Sequence, residues 1–443
     1  MSSIFASLRL YNYRIWFIGA LVANVGTWMQ RVAQDWLVLA VLPEGSAIHV
    51  GIVTGLQFLP IVFISPFAGL IADRVDRRKM LMMTQAAMGV LALALGALVL
   101  LGTAQVWHVY FFALALGVLS AFDAPARQVF VSDIVPTSSL ANAVALNSAS
   151  FNAARLVGPG VAGLLIAVVG TGWVFMLNAL TFAATIGAML AMKSELLQRR
   201  DRPVRAKGQL REGLRYVRGR SDIITIMIVV FVIGGLGLKF QMTSAVMAHD
   251  EFGMGAGEYG VLGSILAIGS LAGALMAARR QRPRLRLVLG AAFGFGISSG
   301  AMALMPTYEL FALSAIPVGY FSLTMLTSAN AAIQITTDPN VRGRVMSLYL
   351  VVFFAGNPIG GPVVGWIAEN WGARWAIGIG AIAAILVAGI AALWTVKRED
   401  VRVRYRLRQR PHLLVQNRHE QLDAARAREE LRTQEGVNAG SAA

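Results

Sequence analysis

The sequence has no cysteine among its 443 residues, and only 14% of its residues are charged. The lack of thiols excludes disulfide bonds, thiolate metal sites and cysteine nucleophiles. Soluble domains carry about 25% charged residues, so a soluble chain of this length would lack the polar residues to cover its surface. Hydrophobic residues instead make up 56% of the chain. The composition indicates an integral membrane protein.

Long apolar runs occupy most of the chain. A helix needs about 20 apolar residues to cross the hydrocarbon core, and an open strand edge finds no hydrogen-bond partner in lipid. A basic segment at 193–220 divides the runs six and six, which predicts six-helix bundles at 1–192 and 221–396 and a cytoplasmic basic tail at 397–443. We predict an all-α membrane fold with twelve spans, at 13–42, 48–71, 80–102, 105–124, 140–168, 172–192, 222–248, 257–278, 286–305, 307–331, 344–369 and 373–396.

Basic residues are distributed unevenly between the two ends of these spans. Of the 39 lysines and arginines, 35 lie in loops and termini at one end, and Arg374 is alone at the other. Cytoplasmic loops carry such an excess, so we expect both termini in the cytoplasm and the protein in the cell (inner) membrane. The net charge of +16 then reflects topology and contact with anionic headgroups, and nucleic acid is not an expected partner.

The two halves of the chain contain a faint repeat. Gly158 and Pro159 in the fifth span correspond to Gly361 and Pro362 in the eleventh. Proline removes a helical hydrogen bond and kinks the helix, and glycine lets neighbouring helices approach. Parallel repeats of this kind surround a site near the membrane midplane in transporters.

The segment between the second and third spans reads Gly-Leu-Ile-Ala-Asp-Arg-Val-Asp-Arg-Arg from Gly69 to Arg78. It resembles the loop 2–3 signature of the major facilitator superfamily, with Asp76 where that family usually has glycine. Stretches at 121–128 and 342–347 resemble the superfamily's drug and siderophore exporter branch, of the enterobactin-exporter type. The resemblance implies two six-helix bundles that work by alternating access.

The same resemblance suggests roles for the motif residues. It implies that Asp73, with Arg77 or Arg78, helps to hold the outward-open state, where a carboxylate meets the positive end of the eleventh span. An incidental acid in a basic loop is the alternative. The gating motif consists of Gly69, Asp73, Arg74, Arg77 and Arg78. The span-5 segment resembles the antiporter motif through Gly158, Pro159 and Gly163.

Four polar residues of the first span share one helical face. Asn24, Trp28, Arg31 and Asp35 follow at spacings of 4, 3 and 4, which brings them into line. A charge at the bilayer centre costs at least about 2.5 kcal/mol and is a functional hypothesis by default. We predict that Asp35 carries a proton and pairs with Arg31 in the outer half of the span. A static ion pair at the outer interface is the alternative.

Two further cations lie within predicted spans. Arg155 is near the middle of the fifth span, on the face of Asn152, with no acid in its own helix. Its expected acceptor is Asp35, a substrate anion or a carbonyl group freed by Pro159. Lys239 in the seventh span has a stem long enough to extend outward, and structural and functional roles are both open.

Asp123 and Arg127 lie one turn apart at the predicted cytoplasmic end of the fourth span. A surface ion pair beside Pro125 is the favoured interpretation, with a functional role as the alternative.

The tail alternates arginine with other residues over 402–408. Contact with anionic lipid is the favoured interpretation and a strand-like partner site the alternative. Residues 412–434 predict a short charged helix.

Together these features favour a proton-coupled exporter, an antiporter, of amphiphilic compounds such as drugs or siderophores. An importer or facilitator of small polar solutes, or a membrane receptor or scaffold that transports nothing, is the alternative. We expect a small-molecule substrate, protons and anionic lipids as partners, and a monomer. No catalytic constellation, cofactor motif or metal-ligand pair is evident, so we expect no enzyme.

Overall fold

Helices account for nearly all of the structure, as the apolar runs predict. The computed structural model describes residues 3–72, 75–197, 209–278, 285–338, 341–399, 402–406 and 412–416. The helices are α1 Tyr11–Trp36, α2 Ala47–Ala72, α3 Arg77–Leu100, α4 Val106–Ile134, α5 Leu140–Val169, α6 Thr171–Leu190, α7 Gln209–Arg218, α8 Ser221–Val232, α9 Phe240–Val246, α10 Ala256–Ala278, α11 Leu285–Ala303, α12 Tyr308–Thr336, α13 Arg342–Trp371 and α14 Ala373–Glu399. Short 3-10 helices lie at Ser3–Arg9, Thr137–Ser139 and Ser194–Leu196, and π-helical turns at Leu37–Val41, Ile233–Gly237 and Met247–Glu251.

Eleven segments within the described residues are long and apolar enough to cross a membrane. The first predicted span is not among them, because polar and charged residues such as Asn24, Gln30 and Arg31 lower the mean hydropathy of α1. Its 26 residues still extend about 39 Å at 1.5 Å per residue, and it packs along α5 and α6. Together with the eleven apolar segments, α1 therefore completes the predicted set of twelve spans. The all-α membrane fold is confirmed.

The N-terminal helices surround a core near the beginning of α1. Trp16 meets Phe130 of α4 edge to face, with ring centroids 5.1 Å apart, and the Tyr13 hydroxyl donates to the Ala143 carbonyl oxygen at 2.7 Å. The core extends beyond the predicted end of the fourth span at residue 124. α4 continues through Pro125 to Ile134 because Phe130 and its apolar neighbours are buried against α1 and α5.

Helices α1–α6 meet the later helices chiefly where α2 packs on α13 and α5 packs on α10. Glycine brings the backbones into contact: a Cβ atom on Gly361 would lie 2.5 Å from the Gly51 carbonyl oxygen, and one on Gly260 would lie 2.9 Å from the Cα atom of Gly163. Both crossings lie in the first half of one helix and the last half of the other. They are therefore at the end of the helices away from Tyr11, which we call the far end.

The seventh predicted span is broken, whereas the sequence predicts a continuous helix at 222–248. α8 passes into the π-helical turn at Ile233–Gly237, Leu238 and Lys239 have non-helical backbone angles, and α9 resumes the helix. Three glycines lie in this turn, and each weakens a helix interior by about 1 kcal/mol. Discontinuous spans of this kind form substrate sites in transporters.

The segment before α8 includes a short helix, α7, that docks on α13. Glu212 of α7 forms an ion pair with Arg344. Arg220 donates to the Tyr216 hydroxyl at 3.1 Å and to the Thr336 carbonyl oxygen at 3.0 Å. The hydrogen bonds from Arg220 to Asp222 raise the pKa of that guanidinium above its ordinary value. These contacts fix the described end of the basic segment to the later helices.

The chain divides into compact units at residues 1–385 and 386–443. In the second unit, β1 Arg402–Arg406 pairs antiparallel with β2 His412–Gln416, with Arg402 opposite Gln416. The helix predicted from residue 412 is therefore wrong over 412–416, and 417–434 lie outside the described residues. Alternation of arginine with apolar residues has the period of a strand, which explains β1.

Candidate substrate cavity

A cavity of about 430 Å³ lies within the first unit, lined by residues from both the N-terminal and the later helices. The charged side chains among its lining residues are Arg31, Asp35, Arg155 and Lys239. All four were predicted from their positions inside apolar spans. The structure brings them together although Arg31 and Lys239 are 208 residues apart in the chain.

Asp35 is buried, with 9% of its surface exposed. The Tyr259 hydroxyl of α10 donates to its Oδ2 atom at 3.2 Å. Arg31 lies close enough to attract this carboxylate electrostatically but does not form the predicted direct ion pair: among the described residues, Tyr259 is the hydrogen-bond partner of Asp35. The bond therefore connects an N-terminal helix to a later helix near the far end.

Arg31 and Arg155 both lie beside Trp28. The guanidinium carbon of Arg31 is 5.1 Å from the centre of the indole ring and that of Arg155 is 5.8 Å from it, within the range of cation–π attraction. The Arg31 Nε atom is buried without a hydrogen-bond partner, and within the described chain Arg155 has no protein acceptor of the kinds predicted for it. Both arginines can therefore donate to an acceptor in the cavity.

Lys239 is buried, with 4% of its surface exposed. Its ammonium group donates to the Asn357 side-chain oxygen of α13. The side chain does not extend outward, which the sequence had left open, because it bonds to α13 beside the break in the span. Asn357 and Tyr259 were missed from the sequence, although each is a polar group inside an apolar span.

Rings line another part of the cavity. Phe58 of α2 stacks on Phe354 of α13, with centroids 5.8 Å apart and planes at 15°, and Phe151 meets Trp28 edge to face. These side chains belong to the cavity wall. The cavity therefore offers an apolar surface and hydrogen-bond donors together, which suits an amphiphilic molecule.

Asn24 and Asn152 do not belong to the cavity lining found in the described residues, contrary to the prediction. The Asn152 amide donates to the Ser148 carbonyl oxygen of its own helix at 2.8 Å. Its donor is therefore satisfied locally, and sharing a helical face with Arg155 does not bring it to the cavity.

The span-5 motif forms helix crossings at the cavity. Pro159 lines the cavity. A Cβ atom on Gly158 would lie 2.6 Å from the Trp28 Cβ atom, and one on Gly163 would lie 2.5 Å from the Ala256 carbonyl oxygen. The motif thus permits close packing of α5 on α1 and on α10.

The loop 2–3 motif is only partly within the described residues. Asp73 and Arg74 lie outside them, and Gly69 lies in α2. Arg77 donates to both carboxylate oxygens of Asp133 on α4, at 3.1 and 3.0 Å. The contact expected between Asp73 and the eleventh span stays a prediction.

Two other residues of this loop join α3 to its surroundings. Arg78 donates to the Met189 carbonyl oxygen at 2.6 Å and to the Ser194 hydroxyl at 3.0 Å. The Asp76 carboxylate accepts from the amides of Arg78 and Lys79 at 2.9 and 3.2 Å. Asp76, which replaces the usual glycine, therefore caps the first turn of α3.

Asp123 is buried in a network between α3 and α4, so the predicted surface pair is wrong. Its carboxylate accepts from Thr84 at 2.9 Å, Gln85 at 2.8 Å and Arg127 at 3.0 Å. Arg127 also lies over Trp16, 5.7 Å from the ring centre. The pair is covered because α4 continues beyond it.

Replacing Asp123 by alanine is expected to lower the free energy of unfolding by about 3 kcal/mol, because breaking a buried pair leaves a charge uncompensated. Thermal unfolding in detergent micelles, followed by circular dichroism, measures the loss. Glu195→Ala removes an exposed acid and is expected to change stability by less than about 0.5 kcal/mol. Equal stability of the two variants would contradict the role of the network.

The sequence matches the family described as "Transmembrane secretion effector" over residues 2–422. The chain belongs to this family of the major facilitator superfamily. It is therefore a membrane transporter protein and not an enzyme, as the sequence predicts.

Curated relatives of the chain are named for export and transport. It is 29% identical to the multidrug efflux pump Tap of Mycolicibacterium fortuitum, over 80% of this chain and 88% of that protein. It is 22% identical to the staphyloferrin A transporter of Staphylococcus aureus, covering 76% and 85%, and 25% identical to the enterobactin exporter EntS of Shigella boydii, covering 79% and 81%. The predicted resemblance to drug and siderophore exporters is confirmed.

Solved structures share the fold. A bacterial homologue of the human lysosomal transporter Spinster, crystallised in an inward-facing conformation, matches with a TM-score of 0.63 at 16% identity, over 89% of this chain and 96% of that one. A D-xylose–proton symporter matches with a TM-score of 0.67 at 12% identity, over 86% and 96%. The chain therefore has the major facilitator fold.

Proposed function

We propose that this transporter is a proton-coupled exporter of amphiphilic organic compounds that works by alternating access in the cytoplasmic membrane, with both termini in the cytoplasm. The observation that carries the proposal is Asp35. It is the carboxylate of the described cavity wall, and its hydrogen bond to Tyr259 joins the two sets of helices.

In the proposed cycle the hydrogen bond between Asp35 and Tyr259 forms when the far end is closed. Opening of the far end separates α1 from α10 and exposes the carboxylate to water outside the cell. Asp35 takes up a proton there and releases it after the helices close again. The rearrangement that exposes the substrate therefore also exposes the proton site, as coupled transport requires.

The glycine crossings support an assignment of the conformation. α2 packs on α13 and α5 on α10 at the far end, so we assign the structure to the inward-facing state. A substrate from the cytoplasm would place acceptor groups beside Arg31 and Arg155 and its apolar part against Phe58 and Phe354. The names of the relatives support drugs or siderophores as this substrate.

We also propose partners for the parts of the chain around the cavity. The loops and tail that carry the basic residues contact anionic headgroups, at about 1 kcal/mol per charge. We propose a monomer as the transporting unit.

Inverted membrane vesicles test the direction and coupling of transport. Their interior is acidified, and ethidium, tetracycline, enterobactin or staphyloferrin A is added outside while a pH-sensitive dye reports the gradient. An antiporter lets protons leave as the compound enters, so we expect a loss of the gradient with at least one compound. Accumulation of a compound by right-side-out vesicles would instead indicate an importer. No proton or compound movement in either kind of vesicle would contradict coupled transport.

A further inference from the structure

A histidine and an aspartate lie side by side at the far end, separated from Asp35 by the side chain of Trp36. His249 and Asp250 belong to the π-helical turn that follows α9. The His249 Nδ1 atom is 2.5 Å from Asp250 Oδ1, and the two side chains are 40% and 47% exposed. Because a carboxylate only accepts, Nδ1 carries the hydrogen and Nε2 is the nitrogen that exchanges a proton with water.

Trp36 separates this pair from the cavity. Its ring stacks on Tyr259 with centroids 5.9 Å apart and planes at 19°, and it meets His249 edge to face at 5.7 Å. Tyr259 in turn donates to Asp35. One aromatic layer therefore lies between an exposed imidazole and the buried carboxylate.

The other charged group of this turn points elsewhere. Glu251 accepts from the Arg374 guanidinium at 2.8 Å, and that arginine also donates to the carbonyl oxygens of Ala303 and Met305. The neighbouring acid of α10, Glu258, accepts from the Gly255 amide at 3.1 Å. Asp250 is thus the carboxylate in contact with the imidazole, and Asp35 is the acceptor beyond Trp36.

We propose that His249, held by Asp250, is the outer proton-loading residue for Asp35, with Trp36 as the gate between them. The inference rests on the proposed proton coupling and adds the route by which the proton enters. Nε2 of His249 takes a proton from outside water. When the far end opens, Trp36 moves away from Tyr259, water enters the gap and passes a proton to Asp35, and His249 returns to its neutral form.

The role of His249 is tested in proteoliposomes that contain the vesicle-active compound of the four named above. His249→Ala is expected to slow proton-driven transport by about tenfold or more at neutral outer pH, the scale of a lost proton-transfer group. Substrate exchange without a pH gradient is expected to be unchanged, because it needs no proton to load. Imidazole added at the outer side is expected to restore the rate of this variant.

Two further variants separate proton loading from structure. His49→Ala removes a histidine that contacts Tyr110 at the far end but does not contact Trp36, and it is expected to keep the wild-type rate. Asp250→Asn weakens the contact that holds the His249 Nδ1 atom, so we expect the rate of proton-driven transport to fall toward that of His249→Ala, with substrate exchange unchanged.

The outcomes distinguish this inference from the proposed function. Wild-type rates for His249→Ala, or a slowed variant that imidazole does not restore, would overturn the loading role while proton coupling stands. Equal slowing of exchange and of proton-driven transport would identify a structural role. Wild-type protein that moves compound without protons would overturn both.

Discussion

Asp35→Asn is expected to abolish transport driven by a pH gradient and to leave the protein folded. Asparagine has the same shape as aspartate, and its side-chain oxygen can still accept from the Tyr259 hydroxyl, which is 3.2 Å from the carboxylate. It has no proton to exchange in the accessible pH range. Dye-reported vesicle assays are expected to show the rate of membranes without the transporter at every pH.

The matched control is Glu309→Gln. Glu309 is an exposed acid in the first turn of α12, at the same end of the helices, and it does not line the cavity. We expect wild-type transport from it. Full pH-driven activity of the Asp35 variant would assign the coupled proton to another group.

Gly260→Leu is expected to favour the conformation that is open at the far end. A Cβ atom at this position would lie 2.9 Å from the Cα atom of Gly163, so a larger side chain prevents α5 and α10 from closing. Overpacking of this kind costs about 1–3 kcal/mol, which corresponds to a shift of about 5- to 150-fold in a two-state equilibrium. The rate of export is expected to fall in this variant, because the transport cycle requires closure of the far end.

Spin labels can measure this shift directly, since the chain has no native cysteine. Trp173→Cys and Glu309→Cys place labels on exposed residues at the far end of an N-terminal and a later helix. Their distance is expected to lengthen in Gly260→Leu. Gly290→Leu is the control, because a Cβ atom there would have no neighbour within 4 Å. An unchanged distance in Gly260→Leu would show that this crossing does not control closure.

The positions of the cavity charges were accessible from the sequence. Arg31, Asp35, Arg155 and Lys239 are conspicuous inside apolar spans because the cost of a charge in lipid depends on its own environment. The order of the membrane-spanning segments followed from hydrophobic runs for the same reason, apart from the break in the seventh segment. Both properties depend on short stretches of chain.

The partners of these charges were not accessible, because they depend on which helices meet. Asp35 is bonded to Tyr259, 224 residues away, and Lys239 to Asn357, 118 residues away. The helical spacing of Asn152 and Arg155 was similarly insufficient, since a shared face does not specify the neighbouring helix. Pairs within one helix were predicted more readily than pairs between helices: Asp123 and Arg127 are paired, although Arg31 and Asp35 attract each other without a direct ion pair.

Helix ends and breaks also depended on tertiary packing. Pro125 marks a local helix end in the sequence, yet burial of Phe130 continues α4 to Ile134. The glycines before Lys239 were visible, but only the packing on α13 shows that they form a break. A Cβ atom on Gly235 would lie 3.2 Å from the Gly356 carbonyl oxygen, so a larger residue there would fit only if α13 moved slightly.

The central claim is that Asp35 carries the proton exchanged for substrate. Proteoliposomes loaded with the vesicle-active compound and a pH-sensitive dye test it, after dilution into compound-free medium of equal pH. As compound leaves the wild-type vesicles, protons are expected to enter and acidify the lumen. Asp35→Asn vesicles are expected to retain the compound at constant lumen pH, and to exchange it only when the compound is also added outside. Acidification by this variant at the wild-type rate would contradict the account.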